Sequence, residues 1–551
     1  MKVQTCLLSV AIASALLVAA PANAARPDAA KRDAIAARAQ SMLADRNVAR
    51  LAQQAPADQF EPVATIVDED GTEHVRFRRT YQGLPMVGGD FVLHARNGQA
   101  LGVSATLDTT ARPGTTPGIN SGRAIGLANA EFASALSQAP ASQLVVYARS
   151  GTPKLAYEVV LHGFAADQTP REMHYFVDAQ SGEILDRWDA VRTAQPGRDG
   201  DACAGGTAAV GTGKSLTEGT VTLDTTKCGS VYQLRDLTRG GGYTTNMGMR
   251  QTGMGSIYVD ADNVWGNGGL NDAATVAADA HFGVSATWDY YLDVHGRHGI
   301  ADDGVGAVSR VHYGRNYANA FWRDSCFCMT FGDGDNGVTI NPLVALDVAG
   351  HEMSHGVTSR SADLVYSGES GGLNEATSDI MGTMVEWHVN RPEDPGDYMI
   401  GEKLYANNPG YLALRWMFKP SLDGRSPDCW SPSLGSIDVH YSSGVANHFY
   451  YLLAEGAVVP DGFGPGSQFA TDTGINLTPA SLVCDGNTAI TGIGRDAASK
   501  IWYRALTVYM TSSTNYAGAR AATIQAANDL YGPGSTQANA VAAAWSAVNV
   551  N

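Results

Sequence analysis

The 551-residue chain is predicted to adopt an α+β fold in which strand-rich segments come first and helices dominate the end. Three observations carry this expectation. Residues 75–81 alternate apolar and polar side chains and lead into the segment 83–93, which opens on Gly83, so the stretch reads as strand, turn and strand. From about Thr207 to Ala320 the chain reads as glycine-rich strands with one helical stretch, Asp279 to Val294. Further on, Ile501, Ala505 and Tyr509, with Trp502 and Leu506 alongside, keep helical spacing, which implies a mostly helical C-terminal half.

Taken in order, the chain starts with Lys2, an apolar run from Leu7 to Ala20 and the small residues Ala22-Asn23-Ala24, the pattern of a secretory signal peptide over 1–24. The run is too short for a membrane span and no other long apolar stretch follows, so a secreted, extracellular protein is expected, with no membrane partner. A net charge of −17 and a pI near 5.1 argue against nucleic acid as a partner. After the signal, Cys203, Cys228, Cys326, Cys328, Cys429 and Cys484 remain. An even number in an exported protein suggests disulfides, although the sequence does not choose among the pairings. Nearest-neighbour pairing is the guess, with Cys326 and Cys328 as metal ligands the alternative.

Residues 25–195 have a texture of their own. Leu155 to Leu161 and His174 to Val177, with a turn at Ser181-Gly182, read as further strands. Lying between signal and main body, this region is expected to be an inhibitory folding assistant that is later removed, rather than a binding domain that is retained. Thr193 to Gly213, rich in Gly, Ala and Asp, reads as an exposed linker and processing site.

Chemistry concentrates around His351-Glu352-Met353-Ser354-His355. On a helix the two histidines stand one turn apart and can reach one zinc ion, while Glu352 points into the same space. A third histidine six residues on would make a metzincin, but Ser361 stands there. Glu375 instead follows His355 by 20 residues, on a segment with its own helical pattern, Leu373 to Trp387. Two histidines and a carboxylate fill three zinc positions and leave a fourth for water. Asp379, four residues after Glu375, can accept the outer N–H of a ligating histidine. Asn341-Pro342 supplies a start signal for the histidine-bearing helix. Gly368-Glu369-Ser370-Gly371-Gly372 fits a serine-nucleophile pattern, but as a short link into the Glu375 helix it lacks the required strand-to-helix elbow. Asp333 to Asn336 superficially matches an EF-hand loop, whose final glutamate is replaced by Val344.

These residues resemble the thermolysin-like family of neutral zinc metallopeptidases, closely its pseudolysin branch. The resemblance extends to Asn319-Ala320-Phe321-Trp322, Gly332-Asp333-Gly334-Asp335, Leu364-Val365-Tyr366, Ala413-Leu414-Arg415, Asp438-Val439-His440 and Ser442-Ser443-Gly444. It implies zinc on His351, His355 and Glu375, with Asp379 behind the histidine. It also implies Glu352 as general base, Tyr366 and His440 as oxyanion donors with Asp438 fixing the His440 ring, and Asn319, Ala320 and Arg415 as substrate-backbone partners. Calcium is implied on Asp347, Glu386, Asp397 and Glu402; Met399 and Lys403 stand where relatives have further carboxylates, so a double site is not expected, and Thr383 replaces a ligand that the pseudolysin branch uses at the single site.

The resemblance further implies a first propeptide module at about 50–110 and a PepSY-like one at about 118–190. A two-lobed catalytic domain follows, with a β-rich half over 196–345, a helical half over 346–551 and the active site in the cleft between them. No C-terminal binding module is expected beyond Asn551. The activity implied is that of an endopeptidase acting on proteins and peptides, on the amino side of bulky hydrophobic residues, with Leu414 and Val348 as pocket walls. Its own propeptide would be its intramolecular inhibitor, removed by self-cleavage. The alternatives are a zinc exopeptidase and a non-catalytic secreted binding or chaperone protein. No acidic amine-binding motif favours the first, and the presence of every ligand and of Glu352 disfavours the second.

Overall fold

The computed structural model describes residues 29–191, 203 and 205–551. The expected signal peptide lies outside the described residues, as does most of 193–204. The expected linker is shorter than the sequence suggested. Thr207–Lys214 is already a strand, paired along its length with Thr220–Cys228, because Thr and Val at its alternate positions suit a pleated ladder better than a loop.

The N-terminal region is built on one nine-stranded sheet among the described residues. Two modules share it. Strands Asp58–Val67, Glu73–Tyr81, Phe91–Arg96 and Gln99–Ala105 form the first, and Ala141–Tyr147, Lys154–Phe164, Pro170–Asp178 and Ile184–Asp189 the second. The short strand Leu84–Val87 joins them, pairing antiparallel with Glu73–Tyr81 and parallel with Ala141–Tyr147. Helices Ala29–Met42 and Ser121–Glu131 each cover one module, burying Ile35 and Ala39, and Ala124 and Ala128, respectively.

Beyond it come a five-stranded and a six-stranded sheet, and then helices. The strand Ala320–Arg323 is the edge of the six-stranded sheet, bonded on one side only, to Cys328–Gly332. A long helix, Ala273–His295, starts earlier than periodicity suggested because the Asp272 side chain caps the Ala274 N–H. The histidine-bearing helix runs from Leu346 to Ser359 and is not started by Asn341-Pro342. Asn341 gives its side-chain amide to the Lys403 carbonyl instead, at 3.0 Å, and Leu343 and Val344 are buried before the helix begins. The next helix spans Gly368–Val389 and takes in Gly368 to Gly372, which the sequence suggested as a link. Ser370 is therefore a buried first-turn residue whose hydroxyl donates to the Val365 and Ser367 carbonyls, a position without nucleophile geometry.

Glycines set how near these helices come. A Cβ on Gly382 would stand 2.3 Å from the Asp347 carbonyl oxygen, and one on Gly350 would stand 2.9 Å from Gly382 Cα. Helix backbones touch at this crossing, which brings the Glu375 and Asp379 face onto the histidines. Gly371 and Gly372 likewise admit Val439 and Ser442, seating the His440 segment against the same helix. The helical half packs around Leu373, Ile380, Phe449, Trp502 and Trp545, all buried. At its end, helix Arg495–Arg504 opens into a π-helical turn, Ala505–Tyr509, in which Ala505 and Leu506 are buried as their spacing predicted. Disulfides join Cys203–Cys228, Cys326–Cys328 and Cys429–Cys484, with Cα separations of 5.5, 5.1 and 6.1 Å. This is the nearest-neighbour arrangement, and Cys326 and Cys328 are not metal ligands. No helix among the described residues is long and apolar enough to cross a membrane.

Candidate metal centre and active-site cleft

His351 and His355 project from one face of their helix and meet Glu375 from the next, with one ligand atom of each within 4.8 Å of the others. The outer nitrogen of each imidazole is fixed. His351 Nδ1 lies 2.9 Å from Asp379 Oδ1, and His355 Nδ1 lies 2.8 Å from Asn374 Oδ1. Asn374 is held in that orientation because its amide nitrogen donates to the Leu364 carbonyl at 2.8 Å. Both partners accept only, so both Nδ1 atoms carry the proton and both Nε2 atoms present lone pairs. Those lone pairs face each other at 3.1 Å, beside a Glu375 carboxylate whose Oε2 is buried without a hydrogen-bond partner. Such a set of donors repels itself unless a cation sits among them, and two imidazoles with one carboxylate are what zinc takes. Asn374, which the sequence shows beside Glu375, is the partner that sequence reasoning left without a role.

Asp379 is fully buried and collects four donors. Besides His351, it accepts from Arg415 Nε at 2.8 Å and Nη2 at 2.6 Å and from Asn447 Nδ2 at 2.7 Å. Burial alone would raise its pKa; Arg415 and His351 overcome this and hold it below the usual carboxylate range. Arg415, expected at the substrate, thus also anchors Asp379. Asn447 is a further member that no local pattern announced.

Around the metal set stand the expected acid–base groups. Glu352 is buried, and desolvation raises its carboxyl above the ordinary value despite the pull of His351 and His355. Tyr366 donates its hydroxyl to Glu375 Oε1, and that hydroxyl lies 3.1 Å from His440 Nε2. Asp438 caps the short helix Val439–Ser442, taking the His440 N–H at 3.0 Å and His440 Nδ1 at 2.7 Å through one oxygen. Burial pulls the His440 pKa down, but Glu375 and Asp438 outweigh it and push it up to about 9. A half-exposed imidazolium with Nδ1 fixed on Asp438 presents Nε2–H to the cleft.

These side chains line a cavity of about 250 Å³ together with Asn319, Ala320, Leu343, Val348, Ile400, Leu404, Leu414 and Arg415. The unpaired edge of Ala320–Arg323 gives this cleft a rim able to accept a peptide as an added strand. Thr169, Asp189 and Val191 of the N-terminal region line the same cavity. Larger cavities, about 330 and 880 Å³, lie where that region meets residues 500–530 and hold none of the groups above.

A second cluster gathers Asp347, Glu386 and Glu402, again within 4.8 Å. Glu386 Oε1 and Glu402 Oε2 are buried with no hydrogen-bond partner, and burial with mutual repulsion raises the pKa of all three. Asp397 adjoins them, its N–H donating to Glu386 Oε2 at 3.0 Å and its Oδ1 accepting the Met399 N–H at 2.6 Å. Hard oxygens without donors suit calcium. Thr383 is turned away, with its hydroxyl on the Met417 sulfur. Asp394 and Glu218, absent from the sequence reading, lie beside this cluster.

A cleft between a β-rich and a helical lobe, with two histidines from one helix and a glutamate from the next, defines a gluzincin type of zinc peptidase. The thermolysin metallopeptidase catalytic domain matches residues 210–359 and its alpha-helical domain 362–550. The Fungalysin/Thermolysin Propeptide Motif matches 58–107, and the peptidase propeptide and YPEB domain 133–188. The chain belongs to the thermolysin family of zinc metallopeptidases and carries its propeptide modules. Zinc is the family's metal, and calcium binding is typical of it.

The chain is 49% identical to the transglutaminase-activating metalloprotease of Streptomyces mobaraensis over 88% of its own length, and spans 60% of that relative. It is 37% identical to thermolysin of Alicyclobacillus acidocaldarius subsp. acidocaldarius over 92% of this chain and 88% of that one. Among solved structures, the precursor of protealysin, a metalloproteinase from Serratia proteamaculans, aligns at 26% identity and a TM-score of 0.42, covering 56% of this chain and 87% of that one.

Proposed function

We propose that this chain is the precursor of a secreted zinc endopeptidase that cleaves proteins on the amino side of bulky hydrophobic residues and matures by cutting itself. The observation that carries the reading is the pair of facing Nε2 lone pairs at 3.1 Å beside the unpartnered oxygen of Glu375. His351, His355 and Glu375 hold the zinc, and Asp379 and Asn374 hold the histidines. Zinc held there would supply a Lewis acid that polarises the peptide carbonyl and makes water more acidic. Glu352 takes the proton from the attacking water and passes it to the leaving amine nitrogen, so its raised pKa suits both transfers. Tyr366 and the His440 Nε2–H donate to the carbonyl oxygen as negative charge develops on it, and Asp438 keeps His440 in the donating form.

Substrate binding falls to the edge strand at Asn319 and Ala320 and to Arg415. The apolar walls Val348, Leu343 and Leu414 favour a large hydrophobic side chain beyond the scissile bond. Asp189 and Val191 in the cleft support a propeptide that blocks it until cleavage between 192 and 206 separates the two parts. Asp347, Glu386, Asp397 and Glu402 hold calcium.

One experiment tests this. Purified protein is given a denatured protein substrate with and without a zinc chelator, and the products are read by mass spectrometry. Internal cuts before Leu, Phe or Ile that stop on chelation are expected. Cleavage indifferent to chelation, or products shortened one residue at a time, would overturn the reading.

A further inference from the structure

The edge strand Ala320–Arg323 ends on a positive charge that the catalytic part of the chain leaves unbalanced. Alternate side chains of a strand share a face, so Arg323 stands on the same side as Phe321, and its guanidinium lies 5.5 Å from the centre of that ring. Phe321 in turn lines the peptide cleft. Asp324, the adjacent acid, is committed elsewhere: it accepts from Trp322 Nε1 at 2.9 Å and Ser359 Oγ at 2.7 Å and pairs with Arg360 at 3.1 Å. Arg310 adds a second positive charge beside Arg323. Its donors go to Thr330 Oγ1 and the Gly253 carbonyl, and burial with the Arg323 charge pushes its pKa down to about 9. Among the described residues, neither arginine forms an ion pair.

The counter-charge comes from the propeptide. Burial lowers the Arg323 pKa, and opposing it are Tyr313 and Tyr317 together with the carboxylates of Glu172 and Asp189. Glu172 donates its N–H to Asp189 Oδ1 at 3.0 Å, which keeps the two acids together, and Glu172 Oε2 is buried without a hydrogen-bond partner. Two residues beyond Asp189, Val191 packs against the cluster of Tyr313, Tyr317 and Phe321. Thr169 Oγ1 lies 3.1 Å from the Tyr317 hydroxyl. An acid and an apolar side chain two residues apart thus cover the aromatic platform and the arginine at the end of the edge strand. When the propeptide leaves, its acids leave with it.

We propose that Arg323 is a specificity-determining residue, which selects an acidic side chain in the substrate at one fixed position within about four residues of the bond that is cut. Asn319 lines the cleft beside the histidines, and at about 3.3 Å per residue Arg323 lies ~13 Å further along the strand, the reach of roughly four extended substrate residues. A guanidinium meets a carboxylate with two parallel N–H donors, so Asp or Glu would take the place that the propeptide acids vacate. The inference rests on the edge strand receiving the peptide, as proposed above.

The full chain is expressed and left to mature, and the active protein is given a peptide library randomised on both sides of a single Phe, with products read by mass spectrometry. Asp and Glu are expected to be enriched at one position. A matched pair of peptides, Glu against Gln at that position, should differ about fivefold in kcat/KM, mainly through KM. Arg323→Gln should bring this ratio near one, Arg323→Lys should keep it above one, and Arg323→Glu should reverse it. Because the ratio compares two substrates on one protein, general damage to the fold does not move it. A library without acid enrichment, or a ratio unchanged by Arg323→Gln, overturns the proposal and leaves the endopeptidase reading standing; cleavage that ignores a zinc chelator overturns that reading itself. Should the variants fail to fold or mature, salt decides on the wild type. The preference should shrink between about 0.05 and about 0.5 M sodium chloride, and a ratio that salt does not change overturns the proposal.

Discussion

Replacing Asp379 by Asn separates the charge of this side chain from its shape. In the wild type its two oxygens divide four donors evenly: His351 Nδ1 and Arg415 Nη2 on Oδ1, Arg415 Nε and Asn447 Nδ2 on Oδ2. An amide has one acceptor, so whichever way it turns, two donors meet an NH2 group and the Arg415 guanidinium loses its counter-charge. Breaking a buried ion pair from one side costs about 3–5 kcal/mol. If the NH2 faces His351, it donates to Nδ1, the ring proton moves to Nε2 and the ligand lone pair is gone; loss of such a partner typically costs roughly 10–100-fold in metal affinity.

The assay is urea unfolding of the chelated protein beside zinc competition against a chelator, both in a Glu352→Gln background. Because the folded-state pKa of Asp379 is depressed, its stabilisation is present above the ordinary carboxyl value of about 3.9 and is lost as pH falls towards the lower folded value. Wild type and variant should therefore differ at pH 7 and converge in strong acid. A variant within about 0.5 kcal/mol of wild type at pH 7, with zinc affinity within about twofold, would refute both the ion-pair and the tautomer argument.

Three other outcomes follow from the same geometry. Glu352→Gln should lose about 10²–10⁴-fold in peptide hydrolysis while keeping zinc, and its precursor should remain uncut unless wild-type enzyme is added; maturation in isolation, seen on a gel, would contradict this. The pH–rate profile should have an acid limb above 4.5, because burial raises Glu352, and an alkaline limb at or below 9, where His440 loses its proton. Bound metal offsets Glu375, and Asp438→Asn should move the alkaline limb further towards neutrality; an unmoved limb would exclude His440 as the titrating donor. Gly382→Ala places a Cβ 2.3 Å from the Asp347 carbonyl oxygen, a backbone atom that cannot turn aside, so the helices must part. A cost of about 1–3 kcal/mol in thermal unfolding, with weakened zinc and calcium binding together, is expected, and unchanged binding of both would remove this crossing from the argument.

What was legible in the sequence was what helices make local. His351, Glu352 and His355 share a face because 3.6 residues make a turn, and Glu375 and Asp379 share another for the same reason, so ligand and supporting carboxylate were visible before any fold was known. Edges were less legible because distant groups decide them. Asn341-Pro342 has the chemistry of a helix start, but the Asn341 amide is claimed by Lys403, 62 residues away, and the helix begins later. Arg415 was assigned to the substrate from its motif, and only the fold reveals that Asp379 holds it. Asn374 lay within the quoted motif and still had no readable role, since nothing along the chain says that it faces His355. Glu218 is the limiting case. In sequence it is one acidic residue in a turn with no spacing relation to anything; its buried, donorless oxygens acquire meaning only when Asp394 arrives from the other lobe.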